Sequence, residues 1–298
     1  MKSPRRYAIG AAQFEAEALA PGLHIVATPI GNLGDITIRA LSTLAGADVI
    51  LCEDTRTTAK LLNRYGIRAK LEAYHEHNAQ KVRPAILKRL KDGASMALVS
   101  DAGMPLISDP GYRLTREAYA AGIALTCRPG ASAVSAALAL SGLPSDRFSF
   151  LGFMPQKQNE RARLLAQATH RNSTLIFFES PRRIVATLRE IVNLLRDPAV
   201  AVARELTKLH EECLRGRASE IAETLAQRSS IKGEITLVIG PSSEPAPEAS
   251  DEEVASAIAK ALESMPASRA ASQIARQFGM NRQDAYARIL AAKRAPHG

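Results

Sequence analysis

Ser95 to Gly111 reads SMALVSDAGMPLISDPG. A short apolar run, suited to a strand buried on both faces, stops at a loop rich in special residues. Residues 100–111 hold two Asp, two Gly and two Pro. A plain turn needs fewer such residues, so the loop is expected to hold a ligand. The same grammar occurs on both sides of it. LHIVATPIG (23–31), ADVILCEDTR (47–56) and IALTCRPG (123–130) are apolar runs ending in polar or glycine-rich loops, each followed by a stretch with helical spacing. In DITIRALSTLAG (35–46), Asp35 is the expected N-cap. Strands alternating with helices predict an α/β fold with a mainly parallel sheet, whose sites lie beyond the carboxyl ends of the strands.

The pattern shifts near Gly152. FSFLGFMP (148–155), a basic helix from Asn159 to about His170, and TLIFFES (174–180) follow. Then come a long helix from Pro181 to Leu195, AVAVAREL (199–206), a short helix near Ser219–Arg228 and EITLVIG (234–240). In the long helix Ser180 is the expected cap, with Pro181 at the first helical position. This is a second α/β unit. Two such lobes place a cleft between them, the usual location of a ligand.

Three strand-end loops besides 100–111 carry chemistry. In TPIGNLGDIT (28–37), Pro29, Gly31 and Gly34 allow close backbone approach, though taken alone the loop reads first as a tight strand–helix turn. CEDTRTT (52–58) crowds Glu53, Asp54 and Arg56 where an apolar strand emerges; a surface ion pair is the alternative. RPGASAVSAALALSG (128–142) turns at Pro129-Gly130 into a helix of small residues, suited to a flat cofactor or to close packing on a sheet. No GxGxxG follows a strand and no GxxxxGK[ST] occurs, which argues against dinucleotide and P-loop sites.

The 298 residues carry 39 Lys+Arg against 30 Asp+Glu, a net charge of +9, and 46% of them are hydrophobic. Wholesale disorder is excluded, and the charge suggests an anionic partner. Ten Lys/Arg fall between Arg56 and Lys91. Residues 1–22 read as a flexible leader, 23–147 as the first α/β domain and 148–240 as the second. PSSEPAPEASDEE (241–253), with five acids and three prolines, reads as an acidic linker. Residues 254–298, with seven Lys/Arg and two acids, read as a basic helical domain. Within it SQIARQFGMNRQDAYARIL (272–290) has the form of a helix-turn-helix breaking at Gly279. Ile274, Ala275 and Phe278 form one apolar face, and Ala285, Ile289 and Leu290 another. Cys52, Cys127 and Cys213 are far apart, so neither a zinc site nor a disulfide framework is expected. Without a signal-peptide core or a membrane-length apolar run, the chain is expected in the cytoplasm, with no membrane partner.

Read in order, these loops resemble one family. LHIVATPIGNLGDIT, CEDTRTT, YHEHN (74–78), LVSDAGMPLISDPG, CRPGASAVSAAL, FLGFMP, FFESPRR (177–183), ARELTKLHEE (203–212) and KGEITLVIG (232–240) are similar to the S-adenosylmethionine (SAM) methyltransferases of the tetrapyrrole methylase superfamily that act on small-subunit ribosomal RNA. The resemblance spans about residues 23–240. It implies two α/β domains of the tetrapyrrole methylase type with SAM in the cleft between them, usually as a homodimer. It also implies 2′-O-methylation of a cytidine in the decoding centre of 16S rRNA, in the 30S subunit. The family's SAM site would fall on Pro29, Ser100, Asp101, Ala102, Gly103, Pro105, Ser132 and Ala133, with main-chain contacts around Phe153 and Gly233.

Transfer to a ribose hydroxyl needs alignment and removal of a proton. Glu53, Asp54, His75, Glu179 and Glu205 are the candidate bases. The preferred constellations are Glu53 or Asp54 with Arg56, and Glu205 with Lys208. His75 and His77 lack a nearby third ligand, so no metal site is expected; His75 and Asn78 are taken as RNA contacts. Arg182 and Arg183 are expected to meet phosphate, and Arg282 and Arg288 to carry RNA contacts in the tail. Two other functions stay open. A corrin or porphyrin methyltransferase would leave the basic regions without a purpose. A non-catalytic nucleic-acid-binding regulator would leave the polar loops unexplained.

Overall fold

The computed structural model describes residues 5–169, 173–241, 251–278 and 280–294. They fall into two compact units, one up to Pro241 and one from Ser242. The first opens with β1 (Arg6–Ile9) and β2 (Ala12–Glu15), an antiparallel hairpin turning at Gly10. The expectation of a flexible leader is corrected here. Tyr7 is buried in a cluster with Leu61, Tyr65 and Ile67, and Ala8 N–H donates to Tyr65 C=O. Arg5 donates to Gly46 C=O and pairs with Asp48. Residues 1–4 lie outside the described residues.

The first sheet contains β3 (Gly22–Val26), β4 (Val49–Cys52), β5 (Leu71–Ala73), β6 (Ser95–Leu98) and β7 (Leu125–Arg128). Its order is β5-β4-β6-β3-β7 and every pairing is parallel. β4 and β6 are buried at every residue, as their continuous apolar sequences require. Helices α1 (Ile38–Gly46) and α2 (Thr55–Arg64) pack on one face. α3 (Glu76–Lys91) and α4 (Tyr112–Ala120) pack on the other. α1 starts later than read from sequence. Residues Leu33–Asp35 form a 3-10 turn, and Thr37, not Asp35, caps the helix by accepting from Ala40 N–H at 3.0 Å.

α5 (Ala133–Ser141) leads to the second sheet of β8 (Phe148–Phe153), β9 (Thr174–Glu179), β10 (Ala199–Arg204), β11 (Glu212–Arg217) and β12 (Ile235–Ile239). Its helices are α6 (Gln158–Thr169), α7 (Ile184–Leu195) and α8 (Ala218–Ala226). The order is β11-β10-β12-β9-β8, and only β8 and β9 are parallel. The expectation of parallel strands does not extend to this half. Its apolar runs report burial on two faces, not direction. Leu175, Phe177, Val200 and Val202 face α6, α7 and α8, while Ile176, Ala201, Ala203 and Val238 face α5. Close packing on this sheet explains the small residues of α5.

α7 begins at Ile184 rather than at Pro181. Residues 181–183 form a turn in which Arg183 and Ile184 N–H both donate to Ser180 C=O. His170, the expected end of α6, lies outside the described residues.

The second unit has helices α9 (Asp251–Ser264), α10 (Ala267–Phe278) and α11 (Arg282–Arg294). Val254, Ile258, Ala270, Ile274, Ala285 and Ile289 form its core. Leu290, assigned to the apolar face from sequence, is exposed. Most of the acidic segment, 242–250, and Gly279 lie outside the described residues, and Asp251–Glu253 already belong to α9. No described helix is long and apolar enough to cross a membrane.

Candidate active site

β3 and β6 are parallel neighbours, so their carboxyl-terminal loops leave the sheet side by side. They clasp each other. Thr28 N–H donates to Gly103 C=O at 2.9 Å, Gly103 N–H returns to Thr28 C=O at 3.1 Å, and the Thr28 hydroxyl donates to Ser100 C=O. Gly103 adopts φ 84°, and a Cβ there would press on Ile30 at 3.2 Å. Further along the loop, Leu106 (φ 73°) and Ser108 (φ 62°) are non-glycine residues in the left-handed region. That conformation costs about 1–2 kcal/mol per residue and clusters where a loop must aim a side chain.

The loop forms one wall of a cavity of about 470 Å³. The start of α5 continues that wall, and β8, β9 and residues 233–236 face it. Asp101, Ala102, Gly103, Ser132, Ala133, Phe153 and Gly233 line the space. Pro29, Ser100 and Pro105 do not. Pro29 and Pro105 are buried, and the Ser100 hydroxyl is turned inward to Ala102 and Gly103 C=O. These three shape the loop from behind.

The proposed catalytic constellations are placed differently. Asp54 caps α2, accepting from Arg56 N–H at 2.8 Å, and its carboxylate pairs with the Arg56 guanidinium at 2.7 Å. Those bonds hold its carboxyl down at about 2, too weak a base for a proton transfer near neutrality. Arg56 is correspondingly committed. Glu53 is exposed and does not line the cavity. Glu205 accepts from Lys208 Nζ at 2.7 Å and from Glu234 N–H at 3.0 Å, which lowers its pKa. Lys208 also reaches Glu234 at 3.0 Å. Neither Glu205 nor Lys208 lines the cavity.

This second constellation is a fastening between the two halves. Glu205 (φ 51°) and Thr207 (φ 65°) make a left-handed turn that brings the Lys208 stem over Gly31. A Cβ at Gly31 would overlap Lys208 Cγ, and Asn32 N–H donates to the Thr207 hydroxyl at 3.1 Å. The glycine of the first loop is needed for this approach.

One carboxylate was passed over in the sequence reading. Asp109, at the far end of the 100–111 loop, lines the cavity and is half-buried. Burial, the Glu53 charge and Asp101 raise its carboxyl to about 6, with Ser100 opposing them. Its signal in the sequence was the second Asp of SDAGMPLISDPG, whose fold could not be read from spacing.

The residues assigned to RNA also divide. Asn78 is spent on the backbone, accepting from His75 N–H and donating to Ala73 C=O, both at 2.9 Å, as the reciprocal cap of α3. His75 is the N-cap residue of that helix. Arg182 is exposed. Arg183 turns into the cavity wall and pairs with Glu179 at 2.6 Å. Glu179, with its side chain 0% exposed, also accepts from Ser180 N–H and the Thr187 hydroxyl, so both of its oxygens are engaged. Arg288 lies on the exposed side of α11, and the Arg282 side chain is outside the described residues.

Fold and cleft define a methyltransferase of the class described as Tetrapyrrole (Corrin/Porphyrin) Methylases, whose family model matches residues 22–222. The RsmI C-terminal HTH domain matches residues 248–293. Among solved structures, diphthine synthase superposes with a TM-score of 0.58 at 14% identity, covering 73% of this chain and 89% of that one. Cobalt precorrin-4 methyltransferase gives 0.54 at 20% identity, covering 75% and 96%. Both share the fold. A Mesorhizobium japonicum protein named Ribosomal RNA small subunit methyltransferase I is 47% identical over 96% of this chain and 97% of its own length. A Thermotoga maritima protein of the same name is 49% identical over 73% and 97%. The chain belongs to the ribosomal RNA small subunit methyltransferase I family.

The cavity suits the cofactor that this class implies. Asp101, Asp109, Glu179 and Glu234 face it with one guanidinium, Arg183, so the wall favours a cation such as a sulfonium. Arg183 Nη1 is buried and has no partner among the described residues, a donor ready for a carboxylate. A ligand with a positive sulfur and an amino-acid carboxylate satisfies both. Ile30, Val134, Phe178 and Leu206 supply apolar surface for its remainder.

Proposed function

We propose that the chain uses SAM to methylate the ribose 2′-hydroxyl of a cytidine in the decoding centre of 16S rRNA, acting in the cytoplasm on the 30S subunit as a homodimer. The carrying observation is the anionic cavity walled by the SDAGMPLISDPG loop, in a chain whose relatives are named for small-subunit rRNA. When bound, SAM supplies an electrophilic methyl group. The protein holds that group between the first-sheet loops and the second sheet. It presents Arg183 Nη1 to an anionic end of the ligand, and excludes water with Ile30, Phe178 and Leu206.

The exterior supports an RNA substrate over a corrin. Arg56, Lys60, Arg64, Lys81 and Lys88 are exposed on α2 and α3. On α4, which starts where the cavity loop ends, Tyr112 and Tyr119 are exposed at 65% and 78%. Arg116 lies 5.7 Å from the centre of the Tyr112 ring. Exposed rings beside arginines suit unpaired bases and phosphates.

The test is to incubate labelled SAM with 30S subunits from cells lacking the protein and to map 2′-O-methyl groups. One cytidine of 16S rRNA should gain a methyl group. A tetrapyrrole that gains methyl while 16S rRNA does not would establish the corrin or porphyrin reading instead.

A further inference from the structure

Four carboxylates at and around the cleft are committed to basic partners. Asp54 is held by Arg56, Glu205 and Glu234 by Lys208, and Glu179 by Arg183, Ser180 and Thr187. Asp101 accepts from Asp54 N–H at 3.1 Å. Among the described residues at the cleft, Glu53, Asp101 and Asp109 have no basic partner; Asp101 and Asp109 line the cavity, Asp101 exposed and Asp109 half-buried. The position of Asp109 is enforced by the loop. Left-handed Ser108 precedes it, and Gly111 (φ 138°) follows closely, packed so that a Cβ would meet Leu98 at 3.0 Å and Leu106 at 3.3 Å.

We infer that Asp109 is the general base for the ribose hydroxyl. The inference rests on the ribose methylation proposed above. As the bond from O2′ to the methyl carbon forms and the carbon–sulfur bond breaks, the hydroxyl proton passes to an Asp109 carboxylate oxygen. The sulfur leaves as a neutral thioether with the bonding electron pair. The proton is later released to solvent.

Burial and the Glu53 charge place the Asp109 carboxyl at about 6, so near neutrality it is ionised yet far more basic than an ordinary aspartate. Asp101 from its own loop, with Glu179, Arg183 and Glu234, lines the same space, and Glu53 of the β4–α2 loop acts on Asp109 from outside it.

The test uses the full-length protein. Carbon-13 titration of the aspartate carboxyls, with Asp109 identified by its loss in Asp109→Asn, should show a midpoint near 6 that moves down in Glu53→Gln. Asp109→Asn should still bind SAM in calorimetry, weakened only by the loss of one of the four wall carboxylates. It should lose on the order of 10²–10⁴-fold in single-turnover methylation of 30S subunits. In Glu53→Gln the acid limb of the rate profile should move to lower pH along with the titration. A wild type that methylates no ribose overturns the functional reading and this inference with it. A wild type that methylates while Asp109→Asn keeps pace overturns this inference alone. Loss of SAM binding in Asp109→Asn overturns it as well, making Asp109 a cofactor ligand. If Asp109→Asn does not fold, the wild-type and Glu53→Gln profiles decide: an acid limb near 4, or one that ignores Glu53, overturns the assignment.

Discussion

Asp54 and Asp109 follow neighbouring strands of one sheet, β4 and β6, yet their carboxyls lie at about 2 and about 6. Asp54 sits at a helix start, where backbone N–H groups and Arg56 favour its charge. Asp109 sits in a longer loop that buries it beside two other carboxylates. The same side chain is thus made a structural anchor in one place and a reactive group in the other. The strand end brings a residue to the site, but the loop decides what it can do there.

The largest effect should come from removing a fully satisfied carboxylate. Glu179→Ala leaves Arg183 without its carboxylate and two donors unpaired, the buried Thr187 hydroxyl and the half-buried Ser180 N–H. It should cost about 3 kcal/mol in urea unfolding. A loss no larger than that of a surface substitution would mean that the second half does not depend on its pairing.

Asp109→Asn should do the opposite and stabilise the protein. A carboxyl raised above its unfolded value favours folding when protonated, and that contribution is lost as pH rises through about 6. The amide has no charge to bury. With solvent screening at a half-buried site the gain at pH 8 should be about 1 kcal/mol, or roughly 2–4 °C in Tm. It should fade below about pH 4, in the ordinary carboxylate range. Calorimetric scans across that range check the sign; a lower Tm at pH 8 would show that the Asp109 charge is stabilising.

Asp54→Asn should have the smallest effect, because Asn caps a helix nearly as well as Asp. SAM affinity and turnover should match the wild type within error. A large loss of turnover with binding intact would reverse the roles of the two aspartates.

Much of the fold was legible because two-sided burial leaves continuous apolar runs, as in VILC (49–52) and ITLVI (235–239). Direction was not legible, since the same runs suit either pairing. The edge strand ECLRGR (212–217) was missed, because its charged residues hide the alternation. The hairpin at 6–15 was missed too: its strands are short, and only a distant contact with Tyr65 gives them value. Among site residues, local spacing located the loops but not the use of each side chain. Asn78 and Asp54 turned out to serve helix starts, a local role that their positions alone could have suggested. The inward turn of Asp109 depends on left-handed Leu106 and Ser108, which carry no sequence signal for that conformation.

The fastening of Lys208 and Thr207 over Gly31 and Asn32 also says something about time. The Asn32–Thr207 bond joins positions 175 residues apart, and each partner is displayed by a different sheet. Contacts of such separation are costlier and slower to close than local ones. The clasped loops use strands of the first sheet, whereas the facing wall needs β12, the last strand, paired with β10 and β9. A ligand that needs both walls therefore favours chains in which both sheets are complete.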